Sequence, residues 1–188
     1  MIRVLAAALV ALGLAACGAQ DSTLMVSPEA EHLGGNLYIE TFEDGSQALI
    51  LDGMITPETA FWFRQLTKNS EVAGLLIMQS PGGLLLAGQD IGDLIDKNGI
   101  NTLVVSSCIS ACVDVFIAGK ERSITETGFL GLHASSEPEV GEGLTAPYWR
   151  DHGLAHVQKA FSKVPYDDIW IMDAERAVEL RLATEILR

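Results

Sequence analysis

A chain of 188 residues with a formal net charge of −13 is long enough for one well-buried core. So acidic a surface excludes nucleic acid and anionic lipid as docking partners. Beyond the first seventeen residues no apolar stretch approaches the length needed to span a bilayer.

Residues 1–17 (MIRVLAAALVALGLAAC) begin with one cation, Arg3, and continue in an apolar run too short for a mature membrane helix. Leu14-Ala15-Ala16-Cys17 resembles the lipobox of bacterial lipoproteins. That resemblance implies a signal peptide over 1–16, acylation of Cys17 and an anchor in the membrane of the bacterial cell envelope. Several acyl chains on one residue give lasting attachment, which a single chain does not. The protein would face the periplasm, and Gly18 in place of aspartate implies the outer membrane rather than the inner. An ordinary secretory signal followed by a chance cysteine is the other reading. Residues 17–35 read as a polar tether and 36–188 as the folded domain.

Residues 36–43 (NLYIETFE) alternate like a half-buried strand, Asp44-Gly45-Ser46 makes a tight turn, and 47–51 pair back as a hairpin. Thr56 and Pro57 supply a cap and a first helical position for a helix to about Asn69. Residues 74–79 (GLLIMQ) form a continuous apolar strand, buried on both faces. Ser80-Pro81-Gly82-Gly83 follows, then a helix that Gly99 closes. Residues 101–105 are a second buried strand, 110–118 a short apolar helix, and 122–125 and 129–133 short strands. Residues 134–146, rich in Glu, Gly and Pro, read as a mobile loop, with helices over 147–163 and 173–182. Alternating strands and helices, with parallel-type strands near the middle, predict the α/β class.

The chemistry gathers between Ser106 and His133. Ser110 sits among small residues at the foot of an apolar helix, and His133 ends a strand 23 positions later. A hydroxyl nucleophile needs a base within hydrogen-bond reach, and two strand ends in one sheet supply that geometry. Taken singly, Ser110 reads as a helix cap, His133 as a strand end and SPGG as a turn. Alternatively, the two glycines expose backbone N–H groups able to hold an oxyanion. Three strand ends meeting at one sheet edge favour the chemical reading. Cys108 and Cys112 bracket Ser110. Four residues apart in a regular helix they fit a disulfide poorly, but a bend at the first brings them together.

Residues 75–136 resemble the core of the ClpP/crotonase superfamily, in particular ClpP-type serine peptidases. The strand with SPGG, the S-A turn after NTLVVSS and the strand ending GLH come in the same order at similar spacings. The C-x-S-A-C turn resembles that of secreted ClpP-like bacterial proteins, and residues 175–184 (ERAVELRLAT) resemble the family's closing helix. The resemblance implies a single domain built as a spiral of ββα units. It implies Ser110 as nucleophile, His133 as general base, and Gly83 and Ala111 as oxyanion-hole donors. Ser80, Pro81, Gly82 and Leu84 would line the path of a peptide or protein substrate. The family's aspartate falls at Asp167 or Asp168, both of which also read as a solvated loop before a helix. No cofactor is implied. Family members assemble as homo-oligomers, although the segments that stack ClpP rings have no equivalent here.

Three functions are therefore set side by side. One is an envelope serine hydrolase acting on peptides through Ser-His(-Asp) chemistry. Another is a non-catalytic lipoprotein that uses the cleft to hold a peptide or protein. The third is a crotonase-type acyl-CoA enzyme, for which no basic cluster awaits the phosphates. His152 and His156, four apart, suit a metal pair but have no third ligand at a fitting spacing, so no metal is expected. Lys120 lies past its helix end, and His32 falls in the tether. Asp114, one turn from Ser110 on an apolar helix, reads as a buried hydrogen-bond acceptor.

Overall fold

The computed structural model describes residues 26–69 and 72–188. The expected signal peptide and Cys17 lie outside them. The first described elements are β1 (Glu31–Gly34), β2 (Leu37–Thr41) and β3 (Gln47–Asp52), joined as antiparallel neighbours. Asp44 Oδ1 accepts the Ser46 N–H at 2.9 Å and closes the β2–β3 turn. The helix α1 (Pro57–Asn69) opens on a reciprocal cap. There Thr59 N–H donates to Thr56 Oγ1 at 3.2 Å and Thr56 N–H to Thr59 Oγ1 at 3.0 Å.

Then come β4 (Val72–Ser80), α2 (Leu85–Asn98), β5 (Asn101–Ile109) and α3 (Ala111–Ile117). Beyond them lie β6 (Arg122–Thr125), β7 (Phe129–Leu132), α4 (Pro138–Asp151) and α5 (Ala155–Phe161). The described chain closes with β8 (Trp170–Asp173), α6 (Ala174–Glu179) and β9 (Glu185–Leu187). The sheet runs β1-β2-β3-β4-β5-β6-β9, and every pair from β3 onward is parallel.

Strand β5 divides that sheet. Its first half, Thr102 to Val104, pairs with β6; its last residues, Ser107 to Ile109, pair with β7, which pairs antiparallel with β8. The reason is length, since β6 has four residues against nine in β5 and leaves the far half of β5 to another partner. Leu75, Ile77, Val104 and Cys108 from the strands pack with Ile91, Ile95, Val113 and Phe116 from α2 and α3 in one buried cluster. Each such aliphatic or aromatic side chain contributes about 1.5–3 kcal/mol on burial.

Several expectations are corrected. The segment 134–146 is not a loop throughout, because α4 occupies it from Pro138 and carries Pro147 inside the helix. Its buried face is Gly141, Thr145 and Trp149, spaced by four. Two of these three are barely apolar, so the helical period was hidden. The single helix expected over 147–163 is two, α4 and α5, parted at the left-handed Gly153 (φ 76°). Residues 31–34 of the expected tether pair with β2. The buried strand expected over 101–105 runs on to Ile109.

Candidate active site

Register brings three strand ends to one place. Ser80 lies beside Cys108 in the β4–β5 ladder, and Ile109 beside Gly131 in the β5–β7 ladder. The carboxyl ends of parallel strands are where α/β sheets bind ligands. Ser110 N–H donates to Gly131 O at 2.8 Å, so the serine itself makes the last bond toward β7. His133 stands two residues past Gly131, just beyond the end of β7.

Ser110 is the turn between β5 and α3, with φ 57° and ψ −130°. A non-glycine residue held there is strained, and a sharp strand-to-helix turn presents its hydroxyl at the tip. Cys108 and Cys112 close a disulfide around it, with Cα atoms 5.3 Å apart and both side chains fully buried. The bend that the sequence required is the serine rather than the first cysteine. For so short a loop the chain-entropy account gives about 2 kcal/mol of stabilisation. The double variant Cys108→Ala/Cys112→Ala is expected to lose that amount in urea melts. Wild type in reductant is expected to match it.

The SPGG segment is pinned from the other side. Ile55 N–H donates to Gly82 O at 2.7 Å and Leu84 N–H to Ile55 O at 3.0 Å. Backbone groups alternate in direction along an extended segment, so the Gly83 N–H points away from Ile55. Among the described residues it has no acceptor. Buried Ser80 accepts the Gly82 N–H on its Oγ at 3.2 Å. Gly82 has φ 90°, and a Cβ there would lie 2.5 Å from Ile109 O, 2.8 Å from the Ser110 Cβ and 3.0 Å from Ala111 N. The glycine loop therefore lies against the serine turn. The first helical N–H groups of α3, Ala111 among them, have no partner inside the helix. Gly82→Ala is expected to cost about 1–3 kcal/mol of stability. It is also expected to lower any Ser110-dependent turnover about a hundredfold, measured beside the unfolding curve.

His133 Nδ1 lies 2.7 Å from Ala134 O. A carbonyl only accepts, so Nδ1 carries the proton and Nε2 keeps the lone pair a base needs. Tyr166 and the imidazole meet in a T-shaped contact, ring centres 5.1 Å apart. Asp167 and Asp168 are exposed, and Asp168 Oδ1 accepts the Ile169 N–H at 2.8 Å. Neither carboxylate bonds His133; the nearest acceptor is the carbonyl of the next residue. Among the described residues Ser110 Oγ makes no hydrogen bond. It shares a cavity of about 500 Å³ with His133, and Gly83, Ala111, Pro81 and Leu84 also line that cavity. Ser80 and Gly82, both buried, do not line it.

Asp114, one turn into α3, lines the same cavity and is 4% exposed. Its Oδ1 accepts the Trp149 Nε1–H at 2.7 Å. Burial pushes its carboxyl up to about 7, against the smaller opposing effects of the Trp149 bond and the Gln89 amide. That amide approaches without hydrogen-bond geometry, and Gln89 Nε2 has no partner. An unfolded aspartate ionises near 4, so between about pH 4 and 7 the folded state holds the extra proton. Stability therefore falls as pH rises through that window and levels off above it. In urea melts, Asp114→Asn is expected to gain on wild type by up to a few kcal/mol between about pH 4 and 8. The sequence marked Asp114 by its apolar helix, but nothing in it pointed to Trp149, 35 residues away.

The remaining candidates lie elsewhere. His152 caps the end of α4, with Nδ1 2.8 Å from Tyr148 O, while His156 sits on α5. They are thus not one turn apart on one helix. Among the described residues no group of three or more His, Cys, Asp or Glu could hold a metal ion. Lys120 is exposed past α3 and away from the cavity, and His32 stacks on Tyr38. Among the described residues no helix is long and apolar enough to cross a membrane.

No family model matches the chain, and no curated protein is similar to it in sequence. Its structure is similar to the ClpP protease catalytic domain from Plasmodium falciparum, with a TM-score of 0.59 and 18% identity. The match covers 74% of this chain and 83% of that one. The chain has a ClpP-like fold. It is one mixed α/β domain with a central sheet and six helices among the described residues. In this ClpP-like domain the strained serine, the glycine loop and the histidine all open onto one cavity at the sheet's carboxyl edge.

Proposed function

We propose that this protein is a serine hydrolase of the bacterial cell envelope, acting on peptides and lipid-anchored through Cys17. Ser110 Oγ attacks the scissile carbonyl while Nε2 of His133 takes its proton. The Gly83 and Ala111 N–H groups hold the oxyanion, helped by the N-terminal end of α3. The imidazolium returns the proton to the leaving amine. Water, deprotonated by the same nitrogen, then frees the acyl group. No cofactor takes part, nucleic acid is no partner, and the protein works as a homo-oligomer.

The observation that carries this reading is the β5–β7 register, in which Ser110 bonds Gly131 and His133 follows two residues later. A second reading is favoured by a different observation. The imidazole is oriented by the Ala134 carbonyl rather than by a carboxylate, which lends less support to an imidazolium. On that reading the cleft holds a peptide without cutting it.

An alkyl fluorophosphonate separates the two. The hydrolase reading expects stoichiometric labelling of wild type and none of Ser110→Ala. A folded wild type that stays unlabelled, oxidised and reduced alike, leaves the binding module. Labelling of Cys17 by lipid, followed by fractionation of the envelope, tests the anchor.

A further inference from the structure

We infer that the cavity behind Ser110 is a specificity pocket for a cationic side chain, with Asp114 as the carboxylate that reads the charge. The inference rests on Ser110 being the nucleophile of a hydrolase and names the substrate class for that site. Ser110 is the cap residue just before α3 and Asp114 lies one turn into that helix, about 6 Å further in along its axis, and both line the one cavity. That depth is within reach of an extended lysine or arginine side chain whose backbone carbonyl sits at Ser110.

The walls fit such a side chain. Leu132, Leu144, Trp149 and Phe161 line the cavity with apolar surface, against which a long aliphatic stem packs while its charged end seeks a partner. Buried carboxylates have their oxygens satisfied as a rule. Here Trp149 occupies Oδ1, while Oδ2 makes no hydrogen bond among the described residues and is not sealed in the core but left open to the cavity. A buried acid without a counter-ion, in a cavity with room for one, is the complement of a buried cation. Burial, outweighing the hydrogen bonds that oppose it, lifts its carboxyl to about 7, and a cation beside it favours the ionised form. Glu137 is the cavity's other acid, while neither lysine nor arginine lines it. The net charge of −13 draws in the same class of substrate.

The test uses the full mature protein and peptidyl diphenyl phosphonates that differ only in the side chain at the reacting position: lysine, acetyl-lysine, norleucine and aspartate. An alkyl fluorophosphonate reports the nucleophile independently. The pocket is supported if the lysine probe labels wild type about tenfold or more faster than the acetyl-lysine and norleucine probes. In Asp114→Asn the ratio of lysine to norleucine rates should then collapse to about one. Should that variant not fold, the wild-type comparison of lysine with its uncharged acetyl form decides alone. Equal or faster labelling by norleucine, with fluorophosphonate labelling intact, overturns the pocket and leaves the hydrolase standing. A lysine preference that survives Asp114→Asn overturns the role of Asp114. No labelling by any probe overturns the pocket and the hydrolase together.

Discussion

Ser110→Ala is expected to lower peptide hydrolysis by about 10³–10⁴-fold or more and to leave the melting temperature within about 2 °C. The two halves of that result have separate causes. Chemically, alanine removes the oxygen proposed to form the acyl-enzyme, so residual turnover would come from the oxyanion donors and binding alone. Structurally, the Ser110 hydroxyl makes no hydrogen bond among the described residues, so its loss strands no partner. The backbone bonds Ser110 N–H to Gly131 O and Val113 N–H to Ser110 O do not depend on the side chain. His133→Ala should cost a similar factor, and the double variant hardly more than either, because nucleophile and base act as one unit. Steady-state rates on one peptide for all three variants check this. A single variant within tenfold of wild type would sink the Ser-His mechanism.

Trp149→Ala is expected to lower stability by about 4 kcal/mol or more, a drop of roughly 10 °C in melting temperature. Trp149 is 1% exposed and packs edge-on against Phe161 with ring centres 4.8 Å apart. Its deletion leaves a cavity and also removes the donor to Asp114. Trp149→Phe keeps most of the bulk and should lose only about 1–3 kcal/mol, the cost of the unpaired acceptor. Without that donor the carboxyl is harder still to ionise. The phenylalanine deficit should therefore be larger at pH 8 than at pH 5, where Asp114 stays protonated in either protein. Urea melts of wild type and both variants at the two pH values read all of this. A phenylalanine deficit independent of pH would show that Asp114 does not depend on Trp149.

The centre of the domain was legible because its signals are local. A run such as GLLIMQ buried on both faces, Thr56-Pro57 at a helix start and Gly99 at a helix end each settle their own few residues. Hence α1, α2, β4 and β6 lie close to where the sequence put them. Segments whose form depends on distant surfaces were not legible. Helix α4 shows glycine and threonine to the core, and it is helical because Trp149 has a buried slot to fill. Strand β8 exists because β7 offers an open edge, and β9 because β6 does. At the site, composition and spacing alone determined the chemical kinds: an alcohol between two cysteines, an imidazole at a strand end and a pair of glycines. Only the tertiary structure decided that the strained turn is at Ser110, that a carbonyl orients His133, and that Trp149 is the donor to Asp114. The reason is physical: side-chain identity is a property of one position, whereas burial and hydrogen-bond partnership belong to whatever the fold brings alongside.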